Sequence, residues 1–424
     1  MQWFKDTFYF LAARYFRFWA RISLERWQPR VIVVTGSSGK TTLLHLLEAQ
    51  FGQEAKVSHH ANSAYGVPFD LLGLHGVESG SDWLKNSLLA PIRAFAYKLD
   101  QQFYLAEVDA ERPGEAPFLA QLLKPEITLW VSSETTHAMF YEKVMAKGNF
   151  KTVQQAIAYE YAQVAKQTTG LVVASGDNPN VVESLIDLEA EVRLVQESKD
   201  FVKYGFTDDS TQFEIGSGAL YEIPQLQPKG VFCQICMLDE ALSYLDRTPD
   251  YSFAIYVAPP GRSSFFAGIK NTKIIDSSYN ANLSSLKVII EMFAEYPAKT
   301  KWMVIGDMLE LGLSAKAEHE ELAKVISEAR PDNVVLVGGL VKKYTLPKLK
   351  KLKIKSVAFD TSAAAKKYFA DNIKGGEAIL FKASQSTHLE VIIKDLLANQ
   401  KDIEKLPRQS EFWTKRRQSK GLED

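Results

Sequence analysis

Residues 31–42, VIVVTGSSGKTT, hold the most informative chemistry in the chain. A run of β-branched residues leads into Gly36, Ser37, Ser38, Gly39, Lys40, Thr41 and Thr42, and a helical pattern over 40–50 follows. Glycines let backbone N–H groups close around phosphate oxygens, and a helix N-terminus adds partial positive charge. Lys40, placed on an exposed loop, reaches the β- and γ-phosphates of such a ligand, and the Thr41 hydroxyl offers an oxygen to Mg2+. The loop reads G-x-x-G-K-T, shorter than the general G-x-x-x-x-G-K-[ST] form. Strand, loop and helix in that order are the context the motif requires. The segment predicts an ATP-type site.

Positioning such a loop requires strands and helices in alternation. Strand candidates are 104–109, 127–133, 171–176, 252–259, 273–278, 302–307, 333–338 and 378–384, with helical stretches at 154–166, 284–294, 314–329 and 386–399. This alternation predicts an α/β fold with mainly parallel sheets. Polar alternating segments over 200–230 suggest a small antiparallel patch. Pro259-Pro260-Gly261 punctuates two α/β patterns and reads as a joint. The expected organisation is an amphipathic helix over 1–29, a central P-loop ATPase domain over 30–258 and a smaller Rossmann-like domain over 259–424.

Composition sets the outer bounds. A chain of 424 residues can bury sizeable cores without staples, and its ordinary Gly and Pro content excludes a collagen-like or mainly disordered protein. Lys plus Arg number 50 against 51 Asp plus Glu, so no bulk field attracts nucleic acid and no such partner is expected. Cys233 and Cys236, lacking a second pair, read as helix core rather than zinc ligands. The charged tail after Leu406 is expected to be poorly ordered beyond its helix.

Residues 3–27 are dense in aromatics but contain no uninterrupted apolar span. On a helix, Phe4, Phe8, Leu11, Tyr15, Phe18, Trp19 and Ile22 share one third of the wheel, with Arg14, Arg17 and Arg21 beside them. That face either packs on this domain or a protein partner, or makes a peripheral membrane contact. The lysine-rich run 341–355 reads as a solvated face or as a match for an anionic surface.

Further segments resemble the Mur ligase family in order along the chain. HANSAYGVPFD resembles its N-x-x-G-x-P loop through Asn62, Gly66 and Pro68; LAEVDAERPGE resembles a segment carrying Glu107 and Pro113-Gly114-Glu115; His137 falls where an A-H-L histidine stands. PPGR, IIDSSYNANLSS, VIGDMLELG and ILFKASQSTHLE are similar to the family's later motifs. The likeness runs over roughly residues 30–400 and is nearest to MurF-type ligases, which join a dipeptide to a nucleotide-linked muramoyl peptide. It implies an ATP- and Mg2+-dependent ligase that activates a carboxylate as an acyl phosphate and joins it to an amine of a small-molecule or peptide substrate, in cell-wall or related polymer synthesis. The setting it implies is cytoplasmic, at the inner face of the membrane if the first helix lies there.

The resemblance assigns catalysis to Lys40, Glu107, His137 and Arg262, and metal binding to Thr41, Glu107 and His137. Nucleotide contacts fall to the P-loop with Arg262, Asp276, Tyr279 and Asn280; Asp276 is expected to accept ribose hydroxyls. Substrate contacts fall to Asn62, Lys382 and Ser384. Asp307, Glu310 and His319 are more simply caps or surface pairs. Where the family carries a carbamylated lysine, the matching residue is Tyr161, with Lys166 one turn beyond; Asp109 replaces a glycine and Ser277 an aspartate. With only residues 1–35 before Gly36, no nucleotide-sugar domain is expected there, and the expected acceptor is one that is not UDP-linked, lipid-linked if the first helix lies on a membrane. The rival reading is a nucleotide-binding Mur-like scaffold, or partner subunit, without ligase activity.

Overall fold

Continuous apolar runs become strands buried on both faces, which is how a parallel sheet covered by helices reads in sequence. The computed structural model describes residues 2–422 except 60, 78–79, 135–140, 142–143, 146–149, 208, 258 and 310. Two compact units result: Met1–Lys203 with Phe213–Tyr221 and Val231–Val257, and Tyr204–Gln212 with Glu222–Gly230 and Ala258–Asp424.

In the first unit, α1 (Gln2–Trp27) precedes β1 (Arg30–Thr35) and α2 (Lys40–Phe51). There follow β2 (Ala55–Val57), α3 (Gly66–Leu72), α4 (Gly80–Ala96), β3 (Phe103–Val108), α5 (Glu115–Leu123) and β4 (Ile127–Trp130). Next come α6 (Val153–Ala165), β5 (Leu171–Ser175), α7 (Pro179–Ser184) and β6 (Glu191–Val195). The strands pair in the order β2-β3-β1-β4-β5-β6, all parallel. Val31, Val33, Ala106 and Trp130 share one core with Phe16 of α1 and Ala162 of α6. Alternate residues Ile32, Val34, Leu105 and Leu129 are buried as well. Residues 201–223, which belong partly to each unit, form a separate three-stranded sheet of β7 (Phe201–Phe206), β8 (Thr211–Ile215) and β9 (Leu220–Ile223).

The cysteines lie on α8 (Phe232–Tyr244), where Cys236 is buried and burial pushes the Cys233 thiol up to about 12, so both remain protonated packing residues. Among the described residues of 252–259, the expected strand does not form. The Asp250 carboxylate accepts the N–H groups of Ser252 and Ala254, and Phe253 buries its ring from a left-handed backbone at φ +47°. Those N–H groups are spent on a turn and cannot enter a ladder.

In the second unit, β10 (Ser264–Ala267) runs antiparallel to β11 (Lys273–Asp276). Parallel strands β12 (Lys301–Gly306), β13 (Asn333–Val337), β14 (Ser356–Phe359) and β15 (Ala378–Lys382) complete the order β10-β11-β15-β12-β13-β14. Helices α9 (Leu283–Glu295) and α10 (Ala315–Glu328) bury Ile290 and Leu322 in one core with β12, while α12 (Ser362–Asn372) and α13 (Glu390–Leu396), following α11 (Leu346–Lys351), serve the other. Among the described residues, no helix is long and apolar enough to cross a membrane.

Candidate active site

Parallel pairing of β1 with β3 sets Val34 opposite Glu107, so the P-loop leaves its strand beside the carboxylate. The Thr35 hydroxyl donates to the Val108 carbonyl at 2.9 Å and ties the two strand ends together. At Gly36 (φ +129°) an added Cβ would lie 2.7 Å from the Ser132 carbonyl oxygen, and Gly39 takes φ +79° just before α2. Both positions demand glycine. Ser37 and Ser38 donate their N–H groups to the Ser132 carbonyl (3.1 Å) and hydroxyl (2.9 Å). No acidic residue stands in the first turn of α2, which leaves its N-terminal charge for an anion.

Lys40 was expected on an exposed loop but is buried. Its ammonium donates to the Gly36 carbonyl at 2.6 Å and lies 3.4 Å from Asp109 Oδ2. Glu107 draws three further residues together. Its Oε2 accepts the Thr41 hydroxyl at 3.1 Å, its Oε1 the Asn62 amide at 3.3 Å, and its N–H donates to Ser58 Oγ. Asn62 closes the arrangement by accepting the Asp109 N–H on its carbonyl at 3.1 Å. The oxygen set of Thr41 and Glu107 suits a hard divalent cation such as Mg2+. His137 lies outside the described residues.

The Pro113-Gly114-Glu115 loop is positioned by its neighbours. Glu115 accepts the Ala64 N–H at 2.8 Å and the Tyr9 hydroxyl of α1 at 2.7 Å. Gly114 donates its N–H to Glu160, whose carboxyl burial pushes up to about 7. Glu115 therefore joins α1, the Asn62 loop and α5.

In the second unit, Lys382 at the end of β15 donates to the carbonyls of Ser277 and Asn280. Burial, then the Arg262 cation, push its amine down to about 7, with Asp276 opposing. Asp276, expected at ribose hydroxyls, is fully buried: one oxygen accepts the Ser278 N–H and the other has no partner. The Arg262 guanidinium stands 4.8 Å over the Tyr279 ring, and Ser384 Oγ accepts the Leu309 N–H at 3.0 Å. Asp307 caps Val341. His319 is a buried structural residue, bonded to the Ala315 carbonyl and the Met308 N–H. Glu310 lies outside the described residues.

Comparison with known proteins matches residues 261–385 to the family described as Mur ligase, glutamate ligase domain. The UDP-N-acetylmuramoyl-tripeptide–D-alanyl-D-alanine ligase of Bacillus subtilis (strain 168) is 24% identical over 396 residues, covering 89% of this chain and 78% of the relative. The Escherichia coli (strain K12) ligase of the same name is 23% identical, covering 87% and 77%. The MurF ligase from Thermotoga maritima in complex with ADP superposes with a TM-score of 0.70 at 21% identity, covering 93% of this chain and 84% of that one. The fold is that of a Mur ligase.

Within this Mur ligase fold Tyr161, and not Lys166, sits at the P-loop. The Tyr161 hydroxyl donates to Asp109 Oδ1 at 3.2 Å, and burial, then the Asp109 charge, hold it neutral far above neutral pH. Lys166 is exposed, its ammonium 5.7 Å over the Tyr159 ring. Asp109 links Lys40, Tyr161 and the Asn62 loop, which makes it the most connected residue that sequence reasoning left at the margin.

Sequence reasoning missed the Glu390 cluster altogether. Arg408 grips Glu390 through two bonds and also donates to the Ser278 carbonyl at 3.1 Å, while Arg417 and His388 complete a buried group. The tail after Leu406 therefore turns inward and braces the loop that carries Tyr279. Of the lysine-rich run, Lys342 pairs with Asp360 and Lys348 with Glu320, as a solvated face does. On the first unit, His45, Glu48 and His59 bring their donor atoms within 4.8 Å of one another, and each Glu48 oxygen is already taken by one imidazole.

Proposed function

We propose that this chain is an ATP-dependent, ADP-forming ligase of the peptidoglycan type, joining the carboxylate of a muramoyl-peptide-like acid to the amine of an amino acid or dipeptide. The observation that carries the reading is Glu107 holding Thr41 and Asn62 at once, beside a P-loop lysine. The relatives named above as UDP-N-acetylmuramoyl-tripeptide–D-alanyl-D-alanine ligases supply the substrate class.

In the first step a carboxylate oxygen of the acid attacks the γ-phosphorus and ADP leaves, giving an acyl phosphate. In the second the amine attacks the acyl carbon, phosphate leaves with the bonding electrons, and the nitrogen gives up one proton to solvent. Gly36–Thr42 cradle the phosphates, and Lys40 moves from the Gly36 carbonyl to the β/γ bridge as they arrive. Thr41 and Glu107, with His137, would hold Mg2+, which spreads the charge on the transferring group. Asn62 orients Glu107 and meets the acid. Arg262 and Tyr279 contact the nucleotide, with Asn280 shaping that loop. Lys382, neutral in part near pH 7, and Ser384 steer the amine. ATP supply places the reaction in the cytoplasm.

The test is ADP release from ATP and Mg2+ with pooled acids, both nucleotide-linked and lipid-linked muramoyl peptides, and pooled amines. Glu107→Gln should lower it by roughly 10²-fold or more, the scale of losing one preorganised charged group. The scaffold reading draws on Tyr161, a neutral phenol beside Asp109 where a charged group is otherwise expected. Nucleotide binding without acid-dependent ADP release would establish that reading instead.

A further inference from the structure

Helix α1 carries apolar side chains on two opposite faces, one buried as a seam and the other left partly exposed. Ala13, Phe16, Ala20 and Ser23 form the buried seam, and the Ser23 hydroxyl donates to the Leu71 carbonyl. Leu11, Tyr15 and Phe18, on the stripe for which the sequence left both protein packing and a membrane contact open, are exposed. A helix that is apolar on both sides needs cover on both.

Helix α4 presents a second outward stripe. Leu84, Leu88, Ile92 and Phe95, spaced four, four and three residues apart, are 58–66% exposed, as are Leu11 and Phe18. The two stripes run side by side. The Tyr15 hydroxyl donates to the Ser87 carbonyl at 2.7 Å, and Arg26 donates to the Phe95 carbonyl while its guanidinium stands 5.4 Å over the Phe95 ring. Monomeric proteins rarely expose a contiguous apolar surface of this kind.

Charge decides what covers it. Residues 9–26 and 81–98 hold seven Lys and Arg against two carboxylates, Glu25 and Asp82, in a chain that is otherwise balanced. Arg14, Arg21 and Lys85 are exposed among the apolar side chains. A second copy would bring the same cations against themselves and be repelled. An anionic bilayer surface would accept the apolar stripes at its acyl boundary and the cations at its phosphates. Neither helix is apolar enough to span, and α4, at 17 residues, offers about 25 Å of contact lying flat.

We infer that α1 and α4 together form an interfacial platform that docks the first unit on an anionic phospholipid surface. The inference does not depend on ligase activity. The test is co-sedimentation of the full chain with phosphatidylcholine vesicles made with and without phosphatidylglycerol, alongside light scattering of the protein alone. Binding should rise roughly tenfold with phosphatidylglycerol. The exposed-face variant Leu88→Glu/Ile92→Glu should lose vesicle binding while keeping its melting temperature and nucleotide affinity. Arg14→Gln/Arg21→Gln, which leaves the apolar stripes intact, should weaken the phosphatidylglycerol preference by several-fold. Three results would overturn the inference: no sedimentation with either vesicle, undiminished binding by both variants, or a solution dimer that Leu88→Glu/Ile92→Glu dissociates in a chain indifferent to vesicles.

Discussion

Lys40 and Asp109 form an ion pair at 3.4 Å, and it joins the P-loop to the end of β3. With the Gly36 carbonyl as its second acceptor, the ammonium is folded back over its own loop. Under the proposed function, phosphate oxygens would have to compete with both partners before Lys40 could turn toward them. Asp109 would thereby set the charge that the proposed nucleotide meets.

Lys40→Ala should reduce ATP turnover by roughly 10²–10³-fold, the loss expected for one preorganised cation at the transferring group. Because Lys40 is buried and paired, the substitution should also cost about 1 kcal/mol, a few degrees in melting temperature. ADP release and thermal melts of the same preparation measure both. Unchanged turnover would remove the P-loop from the mechanism.

The Tyr161 phenol cannot be carbamylated, and Lys166 points away onto Tyr159. Turnover in degassed buffer should therefore be the same with and without added bicarbonate. Tyr161→Phe, which releases one Asp109 oxygen, should lower turnover by roughly tenfold, the worth of one hydrogen bond to a charged group. A several-fold stimulation of the wild-type chain by bicarbonate would contradict this assignment.

Lys382 gives stability a pH slope. Its folded value, about 7, lies below the unfolded value, so between the two the unfolded chain binds the extra proton and stability rises with pH. Below about 7 both states are protonated and the burial cost is present in full. Urea denaturation between pH 7 and pH 10 should show a slope steeper in wild type than in Lys382→Met, by up to about 1.4 kcal/mol per pH unit. Parallel curves would mean that the amine is charged in the folded state.

The Glu48 cluster should act in the opposite direction. Hydrogen bonds from His45, then His59, hold Glu48 down at about 2, and the Glu48 bond raises His59. The carboxylate's contribution is present above its unfolded value and lost as pH falls toward 2. The imidazolium's is present below the unfolded histidine value and lost as pH rises through the raised one. Glu48→Gln should therefore cost most between about pH 4.5 and 6.5. The cost should stay within about 1 kcal/mol, because the groups are half-exposed. Denaturation midpoints across this range check it, and a penalty growing above pH 8 would refute it.

Glu390→Gln should be the most damaging of these changes. Burial pushes this carboxyl up, yet bonds from His388 and Arg408 outweigh it and bring the group to about 2. Neutralising it leaves Arg408 and Arg417 buried without a counter-charge, at a cost of roughly 3–5 kcal/mol. Chemical denaturation reads the loss, and a change below about 1 kcal/mol would mean that water already solvates the arginines.

Local order carried much of this protein in its sequence. The P-loop was legible because a strand, two obligatory glycines, a lysine and a helix start must be consecutive to work. Its acidic neighbour Glu107 was singled out only through the family resemblance, because a glutamate at a strand end is by itself as readily a solvated one. The two cysteines were legible as packing residues from their apolar surroundings. The failures share a different cause. The strand expected at 252–259 was lost to the Asp250 carboxylate, which captured the N–H groups a ladder needs. The Glu390 cluster joins residues 388, 390, 408 and 417, whose charges look like an ordinary solvated tail until the chain folds back.

The first helix draws the line most sharply. Its periodicity marked one apolar stripe, the one that holds Leu11, Tyr15 and Phe18, and did not single out the opposite seam of Ala13, Phe16 and Ala20. The small side chains of Ala13 and Ala20 allow close approach, and Phe16 fills the space between α3 and α4, so that seam is the one buried. Leu11, Tyr15 and Phe18 are left outside beside a stripe of α4 that periodicity cannot place next to them. Likewise Lys40, Asp109 and Tyr161 are far apart in the chain, and only parallel pairing of β1 with β3, with α6 packed over the sheet, brings them within bonding distance. Sequence set which groups were available for the chemistry. Sheet register and helix packing decided which of them meet, because burial is a property of neighbours that one-dimensional spacing does not contain.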